Sequence, residues 1–148
     1  MIVVQVSGYS GSGKTRLCAR LAALAAARGH HVGYIKSHHG AVDRQGSDTA
    51  QLGAAGAARR WLLGLDGLLA LGAPPDLREL LRQARADGCT LVLVEGFKTS
   101  PGVKCWLRRT PEDAPPPDVA DVALDLRPGE AQALGDDALW ARLPWRGA

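Results

Sequence analysis

Lysine and cysteine are scarce in this chain, and each scarcity narrows what it can be. The three cysteines of its 148 residues, Cys18, Cys89 and Cys105, stand far apart without any C-x-x-C spacing. Neither a disulfide framework nor a tetrahedral zinc site is indicated, and a reducing compartment suits the chain. Basic charge rests on 14 Arg and only 4 Lys, with 15 acids dispersed among them. No basic block is interleaved with the four Trp, two Tyr and one Phe, so nucleic-acid binding is not expected. No apolar run reaches the ~20 residues of a membrane span, and a strand-like segment begins at once, without the regions of a secretory signal. The expectation is a cytoplasmic protein that does not engage a membrane.

A hydrophobic fraction of 46% with 22% charged residues is ordinary for a chain that buries a core, and the length predicts one domain over residues 1–148. Residues 2–7, IVVQVS, are β-branched and almost wholly apolar, the pattern of a parallel strand buried on both faces. From Lys14 to Arg28, Leu17, Cys18, Leu21, Leu24 and Ala25 recur at helical spacing before Gly29. Residues 31–36, HVGYIK, follow as a second strand, completing a βαβ unit. Residues 37–47 form a turn-rich loop, and Ser47 or Asp48 caps a short helix ending near Gly53 or Gly56. The segments 59–63 and 67–71 predict two strands joined by the turn GLDG. A helix opens at Pro74-Pro75-Asp76 and ends near Gly88, and TLVLVEGFK, 90–98, holds another buried strand. Residues 103–109 predict one more strand, 110–118 a Pro-rich connector, and about 130–142 a weak helix.

The stretch Gly8-Tyr9-Ser10-Gly11-Ser12-Gly13-Lys14-Thr15 fits G-x-x-x-x-G-K-[ST] and lies between a predicted strand and a predicted helix. Its glycines allow a tight turn that aims consecutive N–H groups at phosphate oxygens, where the helix dipole favours an anion. Lys14 then reaches the β- and γ-phosphates, and the Thr15 hydroxyl is a ligand for Mg²⁺. Arg16 continues the nucleotide-binding segment. Glu95 ends its strand at the carboxyl edge of the sheet, beside the phosphate loop, where an acid can hold the water shell of Mg²⁺ or act in catalysis. Asp48 is a second candidate for Mg²⁺ or for orienting water, and Asp43 opens a D-x-x-G form. Either acid can equally be a turn or cap residue. His38 and His39 suit a metal, a phosphate or a partner, although no tetrahedral set surrounds them. Arg108 and Arg109 are further candidates for a phosphate contact. Lys14, Lys36, Lys98 and the single Phe, Phe97, all fall within these segments. There is no N-K-x-D to identify a guanine, so the residues leave ATP and GTP both open.

Taken in order, GYSGSGKT, GYIKSHHG, GSDTAQLGAAGA and LVLVEGFK resemble the MobB family, the molybdopterin-guanine dinucleotide biosynthesis adaptors. The resemblance is clear over residues 1–109 and weak over 110–148. It implies an α/β, P-loop NTPase-like fold: a mostly parallel sheet flanked by helices, with a short antiparallel hairpin. It also implies GTP and Mg²⁺ as ligands, a homodimer, at most a weak GTPase activity, and a partner: a MobA-like molybdopterin guanylyltransferase, with its pterin cofactor close by. Matched by position, it assigns the phosphate loop to Gly8–Thr15 and a histidine loop to Lys36, His38 and His39. A switch-like segment falls on 43–49, including Asp43, Gly46 and Asp48, and a strand-end role on Glu95, Gly96, Phe97 and Lys98. The chain departs from the family pattern in having Lys36-Ser37-His38-His39 where K-H-x-H-H is usual, and Gly46-Ser47-Asp48-Thr49 where G-K-D-S is usual. A small-molecule P-loop kinase and a metallochaperone GTPase are the competing readings.

Overall fold

The computed structural model describes residues 1–37, 40–42, 45–65 and 67–147, with the backbone alone for Arg146 and Gly147. In chain order the elements are β1 (Ile2–Gly8), α1 (Lys14–Ala27), β2 (Val32–Lys36), α2 (Asp48–Ala54), β3 (Arg60–Gly64), β4 (Gly67–Leu71), α3 (Leu77–Ala86), β5 (Leu91–Glu95), β6 (Lys104–Leu107), β7 (Val122–Leu126), α4 (Glu130–Ala133), α5 (Asp136–Arg142) and β8 (Arg146–Gly147). They fall into two compact units, Met1–Ser37 with Leu77–Ala148, and His38–Asp76.

In the first unit the sheet order is β2-β5-β1-β6-β7, with every neighbouring pair parallel. The apolar runs of β1 and β5 occupy central positions because both faces are covered; Val4, Val6 and Leu91 through Val94 are wholly buried. Register carries the consequence for the site. Val6 lies opposite Glu95, Lys36 opposite Glu95, and Gly8 opposite Leu107, so the ends of β2, β5, β1 and β6 share one carboxyl edge. The segment VADVALDL contributes β7, which extends the sheet beyond β6. β6 pairs only with Gln5–Gly8 of β1, and the free edge at Ile2 and Val3 is taken by β8, antiparallel. That last strand is two residues long and has no legible periodicity.

Alternation places Val4, Val6, Leu91, Leu93, Cys105 and Leu107 on one face of the sheet, against Leu17, Cys18, Leu21 and Ala25 of α1. Burying a side chain such as Leu21 contributes about 1.5–3 kcal/mol. Ala131, Leu139 and Leu143 complete this core from the C-terminal segment. Burial pushes the thiols of Cys18 and Cys105 up to about 12, which makes both inert fillers. On the opposite face Lys104 is buried, its Nζ donating to Gly102 O at 2.8 Å and Ala120 O at 3.2 Å. Burial lowers its pKa.

The single helix expected near 130–142 is two helices. Leu134 and Gly135 have extended backbone between α4 and α5. The break has a physical cause in Arg20 of α1, whose guanidinium donates to Ala131 O and Leu134 O, both at 2.7 Å, and to Asp136. Carbonyls that a continuous helix would satisfy internally are thus satisfied from outside, next to a glycine of low helical propensity.

In the second unit Ser47 caps α2, accepting from Ala50 N at 3.1 Å. β3 and β4 form the expected antiparallel hairpin, closed by the pairing of Gly64 with Gly67; Asp66 of its turn lies outside the described residues. Trp61, Leu62, Leu63, Leu68 and Leu69 of this ribbon are all exposed. A two-stranded hairpin is marginally stable alone, so so much exposed apolar surface is a feature to be explained.

Among the described residues no helix is long and apolar enough to cross a membrane.

Candidate functional site at the carboxyl edge of the sheet

The turn from β1 into α1 depends on glycines at three points. Gly8, Gly11 and Gly13 have φ of 148°, 79° and 89°, which side chains rarely adopt. At Gly8 the requirement is also steric, because a Cβ there would lie 2.4 Å from Leu107 O of the neighbouring strand. α1 starts directly after Gly13 with no side-chain cap, which leaves its first N–H groups to the loop's interior. The buried Ser12 hydroxyl finds no hydrogen-bond partner among the described residues. Lys14 folds back so that its Nζ donates to Tyr9 O at 2.7 Å. Burial lowers the Lys14 pKa; the Glu95 carboxylate opposes this, while the Lys36 and Lys98 charges reinforce it.

Glu95 is the electrostatic centre of the edge. Its carboxylate is almost wholly buried, and it accepts from Thr15 Oγ1 at 2.9 Å and from Tyr34 OH at 2.5 Å. The Lys36 Nζ stands 3.1 Å from Glu95 Oε1 and also donates to Thr15 Oγ1 at 3.2 Å. Burial alone would raise the Glu95 pKa, but the hydrogen bonds from Tyr34, Thr15 and Lys36 outweigh it and hold the pKa below the ordinary value. The Tyr34 phenol is pushed up by burial and by its bond to Glu95.

The residues after Glu95 are locked to the same edge. Gly96 and Phe97 both have positive φ, 89° and 50°. A Cβ on Gly96 would meet Ser37 Oγ at 2.1 Å, so this position too requires glycine. Ser7 Oγ donates to Gly96 O at 2.9 Å, Gln5 Nε2 to Phe97 O at 2.6 Å, and Phe97 N to Ser37 Oγ at 3.3 Å. The strained turn brings Lys98 back over the phosphate loop, its Nζ 5.8 Å from the centre of the Tyr9 ring. Tyr9 in turn packs edge-on against Trp106, with ring centres 5.5 Å apart.

The structure therefore brings Gly8 through Thr15, Lys36, Glu95, Gly96, Phe97 and Lys98 to one place, and Arg16 follows as an exposed residue of the first turn of α1. Gly46 and Asp48 belong to the second unit, Gly46 with φ of 83° and Asp48 exposed in the first turn of α2. His38, His39 and Asp43 lie outside the described residues. Arg108 is engaged by Asp125, with its Nε donating to Oδ1 at 2.8 Å. Arg109 pairs with Asp113 at 3.3 Å, and its Cδ comes within 3.8 Å of a Cβ built on Gly11.

Tyr34 escaped the sequence reading, although period-two alternation along GYIK places it on the same strand face as Lys36. Asp113 had no such signal, since it lies in the Pro-rich connector. Thr15 and Glu95 together present hard oxygen donors of the kind Mg²⁺ takes, and the orphaned Ser12 hydroxyl fits an anion acceptor in the loop. Among the described residues no group of three or more His, Cys, Asp or Glu is assembled for a metal ion.

Comparison with known proteins bears on what this edge belongs to. The family model for molybdopterin guanine dinucleotide synthesis protein B matches residues 3–124. The chain is 35% identical over 128 residues to the molybdopterin-guanine dinucleotide biosynthesis adapter protein of Haemophilus influenzae, covering 80% of this chain and 70% of that one. It is 35% identical over 117 residues to the probable adapter protein of Bacillus subtilis, covering 75% and 67%. The crystal structure of Bacillus subtilis MobB superposes with a TM-score of 0.63 at 28% identity, over 85% of this chain and 77% of that one. The chain, a mostly parallel sheet flanked by helices with a short antiparallel hairpin, thus has the fold of a solved MobB structure over most of its length. With four fifths of its length inside the family model, this chain belongs to the MobB family.

Proposed function

We propose that the chain is a GTP-binding adapter in molybdopterin-guanine dinucleotide biosynthesis, acting beside a MobA-like guanylyltransferase close to the pterin cofactor. Family membership supports the pathway, and the carboxyl-edge cluster of Lys14, Thr15, Lys36 and Glu95 carries the nucleotide part of the reading. In this reading the N–H groups of Gly8–Thr15 hold the phosphates, Lys14 releases Tyr9 O to take an anionic oxygen, and Ser12 gains the acceptor it lacks. Thr15 and Glu95 would hold Mg²⁺, which when bound neutralises phosphate charge. Lys98, lying on the loop, adds positive charge.

Catalysis on the chain itself is slow at most. A carboxylate that accepts three hydrogen bonds and has a depressed pKa is a poor general base, and Glu95 is in that condition. Asp48 is kept as an acid that orients water or assists Mg²⁺, with Gly46 beside it in a nucleotide-responsive segment that also holds Asp43. Lys36, His38 and His39 are read as a loop that responds to the bound nucleotide. The whole chain acts as one nucleotide-binding domain, in the cytoplasm, as a homodimer. Support for the dimer comes from the exposed apolar ribbon of β3 and β4, which a second copy would cover.

Calorimetric titration with GTP, ATP and GDP, with and without Mg²⁺, tests the reading. Mg²⁺-dependent binding with GTP preferred is the expected result. Equal or tighter ATP binding, or turnover at kinase rates on a small acceptor, overturns it. Co-purification with the guanylyltransferase addresses the partner.

A further inference from the structure

The first turn of α1 faces α4 across a cavity of about 240 Å³, lined by Arg16, Leu17, Arg20, Ala131 and Gln132. Sites for drug-sized ligands run to about 300–1,000 Å³. This one therefore suits a part of a nucleotide, such as one base with the edge of its sugar. Two of its polar side chains are uncommitted: neither the Arg16 guanidinium nor the Gln132 carboxamide has a hydrogen bond among the described residues. The third is committed, because Arg20 is spent on Ala131 O, Leu134 O and Asp136. That commitment fixes α4 and so holds Gln132 at the phosphate loop, its Nε2 lying 3.7 Å from a Cβ built on Gly13.

The direction of the nucleotide follows from the strand order. Thr15, Glu95, Lys36 and Tyr34 cluster on the β5 and β2 side of β1. If the metal-bearing end of a triphosphate is held there, its nucleoside leaves the loop on the other side, past Arg16 and toward α4.

We infer that the cavity between α1 and α4 receives the purine base, with Arg16 selecting guanine and Gln132 holding the base edge. The inference rests on the nucleotide-binding reading above. A guanidinium offers only donors. Guanine presents two adjacent acceptors, O6 and N7, to such a fork, whereas adenine sets its N6 amino donor against it. A carboxamide supplies one donor and one acceptor and can turn to suit either purine, so Gln132 adds affinity and orientation without discrimination. Arg16 thus supplies the guanine preference that the missing N-K-x-D leaves unassigned, and Gln132 supports it by orienting the base.

The test is a calorimetric comparison of GTP, ATP and inorganic tripolyphosphate, with Mg²⁺, on the full chain. Arg16→Lys keeps the charge but loses the planar fork. It should cost GTP about tenfold or more while leaving ATP and tripolyphosphate as they were. Gln132→Ala, an exposed position, should weaken GTP and ATP together and spare tripolyphosphate. Unchanged GTP affinity in both variants, or equal losses for tripolyphosphate, overturns the pocket, as does wild-type protein that binds tripolyphosphate as tightly as GTP. Failure of the wild type to bind any of the three removes the parent reading instead, and unaltered thermal melts show that the variants are folded.

Discussion

The Lys36 ammonium lies 3.1 Å from Glu95 Oε1, so a cation from the edge strand β2 sits against the buried carboxylate that ends β5. The same ammonium donates to Thr15 Oγ1, which places one positive charge between the two oxygens proposed for Mg²⁺. Replacing it with an apolar chain leaves a buried carboxylate short of a donor, at a cost of about 1–3 kcal/mol. Lys36→Met should therefore lower the melting temperature of the ligand-free protein, and added Mg²⁺ should restore part of the loss. The double variant Lys36→Met with Glu95→Gln should not respond to Mg²⁺. A Mg²⁺ response that persists in the double variant places the ion elsewhere.

Acid should act on the same group. The folded-state pKa of Glu95 is held below its ordinary value of 4.5, so the folded protein keeps the charged form preferentially. Its contribution to stability is complete above that ordinary value and is lost as pH falls through the lower folded value. Between neutral pH and about pH 3 the wild type should lose more melting temperature than Glu95→Gln. Parallel pH profiles would mean that the carboxylate is not held in its charged form.

Lys14→Ala removes the ammonium that now rests on Tyr9 O. Because its exchangeable partner is a loop carbonyl, the fold should survive. Triphosphate affinity should fall at least about a hundredfold, since a charge-assisted contact is lost from a partly desolvated loop. Unchanged affinity would take the loop out of nucleotide binding altogether.

Gly8→Ala sets a Cβ against Leu107 O and forces a positive φ on alanine. A destabilisation of about 1–3 kcal/mol is expected, or roughly 2–4 °C per kcal/mol for a chain of this size. Gly29→Ala is the comparison without a clash, since no atom lies within 4 Å of a Cβ there and φ is positive but closer to the left-handed helical region, at 80° against 148°. A larger loss at Gly8 than at Gly29 reports the clash with β6 together with the less tolerant backbone angle at Gly8.

Leu63 and Trp61 are the most exposed large apolar residues paired within the ribbon of β3 and β4, at 79% and 66%. If a second copy covers them, Leu63→Glu should shift sedimentation velocity from dimer to monomer without altering the melting of the isolated monomer. A dimer unaffected by Leu63→Glu and Trp61→Glu would have its interface on another surface.

Local chemistry was legible without coordinates wherever one short segment contained the whole reason for a feature. The glycines of GYSGSGKT require their own backbone angles, the runs IVV and LVLV are too uniformly apolar to face water, and Ser47 needs only the next three residues to cap α2. From these the βαβ unit, the hairpin and the candidate phosphate loop all follow. Where partners are remote in sequence, no segment carries the information. Arg20 breaks the C-terminal helix from more than a hundred residues away, Tyr34 reaches Glu95 across the sheet, and β8 pairs with two of the three residues of β1 that β6 leaves open. The cavity beside Arg16 likewise needs Gln132 to be delivered by that same distant break. Sequence determines where a chain turns and which faces avoid water, because those depend on neighbours along the backbone. Tertiary structure decides which charges meet, because parallel register, set by packing of the whole sheet, brings the ends of separate strands to a common edge.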